Sequence, residues 1–118
     1  MGVGDECLPQ VATGFGGGLG RRGEMCGALA GAIIAVGLGC GRRKGEGDEA
    51  KERSYERVGR LVDSFRRRFG TALCRDLIDA DLSRPEGREI YRRENIKEKF
   101  CVNYVKAAAR AAYEAIFS

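Results

Sequence analysis

The chain contains no histidine, no tryptophan and only two prolines in 118 residues. Without imidazole it lacks the commonest general base, the commonest metal ligand and the axial ligand of a typical haem attachment site, which excludes a c-type haem and any histidine-based triad. Long hydrophobic runs are missing too. The longest uncharged stretch, Met25 to Gly41, is shorter than the about 20 apolar residues a membrane span needs and includes Gly27, Gly31, Gly37, Gly39 and Gly41. It is expected to be a buried core helix and not a membrane span. The opening Met1-Gly2-Val3-Gly4-Asp5-Glu6 is acidic where a secretory signal is basic, so a cytoplasmic location is expected.

What is present is cysteine and glycine. Five cysteines, Cys7, Cys26, Cys40, Cys74 and Cys101, are spaced neither as paired Cys-x-x-Cys sites nor as a dense disulfide scaffold, and their number is odd. A reduced protein is the reading. Apolar residues make up 43% and charged residues 32%, a globular balance, and the length suits one domain over residues 1–118. The net charge of +4 could attract a small anion but falls short of a nucleic-acid footprint.

No segment sustains the period-two alternation of strands, so the expected fold is an all-α single-domain bundle of about four to five helices around a central apolar helix. Cys7 to Thr13 reads as the end of a helix. Gly14 to Gly23 is a glycine-rich loop. From Glu24 to about Leu38 the residues are apolar on all sides, as a surrounded central helix demands; Gly27 and Gly31 share a face and would let a neighbouring backbone approach. Gly41 to Gly47 reads as an exposed basic linker. Asp48 then leads an amphipathic helix with Tyr55, Val58, Leu61, Val62, Phe65 and Phe69 on its apolar stripe and Gly70 as C-terminal cap; its other face mixes both signs and reads as solvated. Thr71 can cap a short helix over Ala72 to Ile78, with Cys74 facing inward. Ser83-Arg84-Pro85 starts a further short helical piece, with Pro85 as a first helical residue and Ser83 as the capping residue two places ahead. A charged connector leads to a last helix expected to bury Phe100, Cys101, Tyr104, Val105, Ala108, Ala112 and Ile116.

Cys26 is the strongest candidate for a reactive atom. It follows the glycine loop and opens a helix, where unpaired backbone N–H groups and the positive end of the dipole favour thiolate chemistry, and Arg21 and Arg22 lie within five residues of it in sequence. Cys74 and Cys101 are each expected on an inward helix face, so a bundle could bring three thiols together. The competing reading is that free cysteines simply fill the core as small hydrophobes.

The segment Ala12 to Ile33, with Cys26-Gly27-Ala28-Leu29-Ala30-Gly31 inside it, resembles the core motif of the putative redox-active protein family, defined by four cysteines and a Cys-Gly-Ala-x-x-Gly element. Leu73-Cys74-Arg75-Asp76-Leu77 with Asp81-Leu82-Ser83 is similar to its third cysteine region, and Cys101-Val102 with Val105 and Ala108 to its fourth. The resemblance implies a small helical redox protein related to a domain of split-Soret cytochromes. It also implies that the family's first, upstream cysteine-bearing helix is lacking from this chain, which would expose apolar surface and favour a homo-oligomer. Cys7 and Cys40 match no motif position.

Three functions remain open at this point. Cys26 could attack a disulfide, with Cys74 or Cys101 resolving it. Cys26, Cys74 and Cys101 could instead ligate a metal or iron–sulfur centre, a fourth ligand coming from elsewhere. Alternatively, the chain could be a non-catalytic module holding an anion or a partner, with Gly16, Gly17, Gly18, Arg21 and Arg22 as the anion-binding residues. A nucleotide-binding P-loop is not indicated, since the loop lacks the Gly-Lys-Ser/Thr ending. The redox partner and substrate are not named by the sequence.

Overall fold

The computed structural model describes residues 7–117. They form an all-α bundle of six helices: α1 (Cys7–Ala12), α2 (Gly27–Cys40), α3 (Asp48–Phe69), α4 (Cys74–Ile78), α5 (Pro85–Arg93) and α6 (Val102–Phe117). No strand is present among the described residues, and no helix is long and apolar enough to cross a membrane. Residues 1–6, part of the N-terminal stretch read for a signal, lie outside the described residues.

The frame is α2 packed against α6, with α3 against both. Alanines make this close packing possible: Ala32 of α2 and Ala108, Ala112 and Ala115 of α6 are buried beside Leu29, Val36, Leu61 and Phe65. Leu29, Leu61 and Val36 are essentially sealed from solvent, each burial contributing roughly 1.5–3 kcal/mol. Helix α3 carries Asp48 and Glu49 in its first turn and Arg66, Arg67 and Arg68 in its last, matching the helix dipole at both ends. It ends where expected, at Gly70, whose φ of 83° lets its N–H reach the Arg66 carbonyl at 2.7 Å. Arg57 of α3 donates from Nη1 to the carbonyls of Ala115 (2.8 Å) and Ile116 (2.9 Å), tying down the end of α6.

Several sequence expectations are corrected. Tyr55, on the predicted apolar stripe of α3, is 65% exposed, and Phe100 and Val105 are exposed as well; the bundle is too thin to cover more than one narrow face of each outer helix. The central helix is not surrounded either. Leu29, Ala30, Ala32 and Val36 are buried, but Ala28, Gly31 and Ala35 border an open groove. Ser83 does not cap α5; its N–H and hydroxyl both bond the Asp81 carboxylate, holding that carboxyl below its usual range together with the nearby Arg84. Ala72 lies before α4, which starts at Cys74 with Leu73 as its cap; Thr71 Oγ1 accepts the Leu73 N–H at 3.1 Å.

Candidate thiol site

The glycine loop has an unusual path. Gly17, Gly18, Leu19, Gly20 and Arg21 all have positive φ, between 62° and 69°, so the chain makes a left-handed turn before Gly23 (φ 72°) restores its direction. Glycine adopts this geometry freely, whereas Leu19 and Arg21 each cost about 1–2 kcal/mol there. The turn is held by long-reach backbone bonds, Gly20 N–H to Gly14 O (2.8 Å), Gly23 N–H to Gly17 O (3.1 Å) and Glu24 N–H to Gly18 O (2.9 Å).

The loop then pairs with the segment before α4. Met25 and Leu73 form an isolated antiparallel bridge, flanked by Cys26 N–H to Ala72 O (2.8 Å) and Cys74 N–H to Glu24 O (2.7 Å). Side chains alternate across such a pairing, so Cys26 and Cys74 project from the same side of the bridge, diagonal to each other. Two short backbone hydrogen bonds thus join the segments that carry cysteines 48 residues apart in sequence. Cys26 is the N-cap residue of α2: its carbonyl accepts the Ala30 N–H at 3.0 Å, and its side chain makes no capping bond.

The third thiol arrives by a π-turn. Residues Lys97–Cys101 wind as a π-helix immediately before α6, a widened geometry frequent at functional positions. Cys101 ends that turn, half-buried, and accepts a 3.5 Å hydrogen bond from the Tyr91 hydroxyl of α5. Tyr104, one turn on, donates to the Leu77 carbonyl at 2.9 Å and packs edge-on against Phe69, so α6 also grips α4.

Cys26, Cys74 and Cys101 all line one groove of about 720 Å³, walled by Phe15, Gly18, Tyr91 and Tyr104 at the thiol end and by the α2 and α6 faces, including Gly31 and Ala112, beyond it. Their charges sense one another. Burial, and then the proximity of Cys26 and of Cys101, push the Cys74 thiol up to about 11. Burial likewise raises Cys101, with Cys26 and Glu98 adding to it and the Tyr91 hydroxyl and Lys97 opposing. Tyr91 is raised by burial, by its bond to Cys101 and by the thiol charges. All five cysteines are free; Cys7 is exposed, and Cys40 bonds the Val36 carbonyl at 3.1 Å near the far end of α2. Neither borders the groove. Among the described residues no group of three or more Cys, Asp or Glu is arranged to hold a metal ion.

The expected anion-binding set is divided. Gly16, Gly17 and Arg21 border a second recess together with Arg88 and Arg92. Gly18 instead faces Cys74 in the thiol groove, and Arg22 lies in a third recess with Arg75, Asp76, Asp79 and Asp81. The left-handed turn sends neighbouring side chains to different sides, so neither arginine borders the thiol groove despite standing within five residues of Cys26. Sequence reading missed Tyr91 and the two α5 arginines. The i, i+4 spacing of Arg88 and Arg92, with Tyr91 beside Arg92, was the available signal.

Compared with known proteins, the chain matches over residues 1–115 a family model described as "Putative redox-active protein (C_GCAxxG_C_C)". No curated protein and no solved structure matches it. The family's label spells Gly-Cys-Ala-x-x-Gly, which corrects the Cys-Gly-Ala-x-x-Gly element expected from the resemblance; this chain reads Cys26-Gly27-Ala28-Leu29-Ala30-Gly31, with the first two residues exchanged. The exchange has a local fit: a Cβ on residue 27 would meet the Phe15 carbonyl oxygen at 2.7 Å, so the first helical position here accommodates only glycine and the thiol stands one residue earlier, at the cap.

Proposed function

Because this chain belongs to the C_GCAxxG_C_C family of putative redox-active proteins, we propose that its redox role is thiol–disulfide exchange, with Cys26 as the attacking sulfur and Cys74 and Cys101 as its partners. The observation that carries this reading is the convergence of three free thiols from separate segments on one accessible groove, where Cys26 and Cys101 raise the proton affinity of Cys74 and Cys26 raises that of Cys101. Cys26 is favoured as attacker because it stands at the N-terminus of the 14-residue α2, lines the groove and, among the described residues, has no hydrogen-bond partner on its sulfur as Cys101 does. Cys74, pushed up to about 11, carries its proton at neutral pH, which leaves it a resolving partner and not the first attacker.

In the proposed reaction the Cys26 sulfur attacks one sulfur of a substrate disulfide. A mixed disulfide forms, the substrate S–S bond breaks, and the departing thiolate takes up the proton that Cys26 gave up. Cys74 or Cys101 then attacks Cys26 within the mixed disulfide, forming a protein disulfide and releasing the second substrate thiol. Two protein thiols are oxidised and one substrate disulfide is reduced to two thiols, with two protons transferred.

The test treats fully reduced protein with one equivalent of a small disulfide under nitrogen, followed by peptide mapping. Loss of two thiols with a new bond inside the set Cys26, Cys74 and Cys101, blocked by Cys26→Ser and retained in Cys7→Ser and Cys40→Ser, supports the reading. Oxidation confined to Cys7 or Cys40 overturns it.

A further inference from the structure

The thiol groove has a charged neighbour. The recess bordered by Arg21, Arg88 and Arg92, of about 770 Å³, shares Gly16, Gly17, Leu82 and Tyr91 with the groove. The two spaces therefore adjoin along a shared border, part of which is glycine backbone and part the ring whose hydroxyl bonds Cys101. Three guanidinium groups border the recess. Arg88 gives Nη1 to the Leu82 carbonyl at 2.9 Å, which fixes its direction, and Arg92 pairs with Glu89 at 2.6 Å. Arg21 has no carboxylate partner among the described residues, and its backbone is held at a φ of 64°, which disfavours a side chain there. Among the described residues Glu89 is the one acidic side chain paired with this trio, leaving a net positive recess beside an uncharged reactive groove.

Resting on the thiol-exchange reading, we propose that the substrate is an anionic small-molecule disulfide whose carboxylate or phosphate group is held by Arg21, Arg88 and Arg92 while its S–S bond lies in the groove against Cys26. The mostly apolar groove lining strengthens the attraction, because low-dielectric walls focus the arginine field. Tyr91 lies at the junction, in contact with both the bound anion's recess and the Cys101 sulfur.

Two arms test this on the full chain. The first titrates inorganic phosphate and, separately, propionate into the protein and follows the Arg Nε–H and glycine-loop amide resonances by NMR; shifts confined to Arg21, Arg88, Arg92 and Gly16–Gly17 are expected, and the tighter of the two anions identifies the phosphate or the carboxylate class. The second measures second-order oxidation rates of reduced protein with 3,3'-dithiodipropionate (anionic), bis(2-hydroxyethyl) disulfide (neutral) and cystamine (cationic). The anionic probe is expected to react about tenfold or more faster than the neutral one, with that ratio collapsing in 0.5 M salt and in the Arg21→Gln/Arg92→Gln variant, and persisting in Arg60→Gln, an exposed α3 residue that lines neither space. Equal rates for the three probes, or a ratio untouched by the arginine variant, overturn the anionic substrate while leaving thiol exchange standing. Anion binding at the recess with no disulfide reacting overturns the thiol reading, and the substrate class with it. If the double variant unfolds, the salt dependence and the NMR titration of the wild type decide the outcome.

Discussion

Gly18 and Cys74 are in contact so close that a methyl group on Gly18 would lie 2.5 Å from the Cys74 Cβ and 2.8 Å from the backbone N and O of Glu24. The glycine loop is thus a mould for one of the thiols, and Gly18 meets two demands at once: a φ of 69° and the absence of a side chain. Gly18→Ala is expected to lose about 3 kcal/mol of stability, from backbone strain and overpacking together, and to displace Cys74. Urea unfolding checks the first effect. Slower formation of the cluster disulfide under conditions where the variant is still folded checks the second, and a variant as stable as wild type would refute the tight fit.

Tyr91 tunes the thiol it touches. Its hydroxyl donates to Cys101 Sγ at 3.5 Å and opposes the upward push that burial gives that thiol. In Tyr91→Phe the opposing contribution is gone, so Cys101 holds its proton to higher pH. Its alkylation by iodoacetamide at pH 8, read residue by residue by mass spectrometry, is expected to slow about threefold to fivefold, the worth of one modest hydrogen bond. Cys7 alkylation should stay as it was.

Much of the fold was legible because helix signals are local. The apolar stripe around Leu61 and Phe65, the Gly70 stop and Pro85 in the first turn of α5 follow from short-range rules. The alanine-rich centre of α2 was also plain. The site was half legible. That Cys26 opens a helix is local, but its link to Cys74 depends on the Met25–Leu73 bridge, a single pairing without alternation on either side, which no periodicity reveals. The π-turn that delivers Cys101 depends on how α5 and α6 are joined. The division of Arg21 from Arg22 stems from consecutive positive φ values that glycine content permits without dictating.

The shift of Cys74 makes stability depend on pH. Its folded pKa of about 11 exceeds the ordinary thiol value of 9.0, so the native state keeps the proton while the unfolded chain releases it. The stabilisation is fully present below pH 9 and is lost as pH rises toward 11. The loss attributable to this thiol is expected to be roughly 1–3 kcal/mol. Because the raised tyrosines Tyr91 and Tyr104 act in the same direction, the informative quantity is the difference between wild type and Cys74→Ala in urea unfolding at pH 8 and pH 11. A flatter profile in the variant is the expected result; parallel profiles would mean that Cys74 is not the responsible group.

Gly27 and Gly31 stand on one face of α2 and would be equivalent under a simple helix-packing account, yet their surroundings are opposite. A Cβ on Gly27 meets the Phe15 carbonyl oxygen at 2.7 Å, whereas one on Gly31 finds nothing within 4 Å and enters the thiol groove. Gly27→Ala is therefore expected to destabilise the protein by about 1–3 kcal/mol. Gly31→Ala removes a flexible residue from the middle of a helix and is expected to stabilise it by about 0.5–1 kcal/mol. Thermal unfolding of the two variants should shift in opposite directions. If the groove is where disulfides react, the larger Gly31→Leu must slow oxidation of Cys26 by bulky disulfides while sparing Cys7, and a stable Gly31→Leu protein with unimpaired Cys26 chemistry would place the reactive entrance elsewhere.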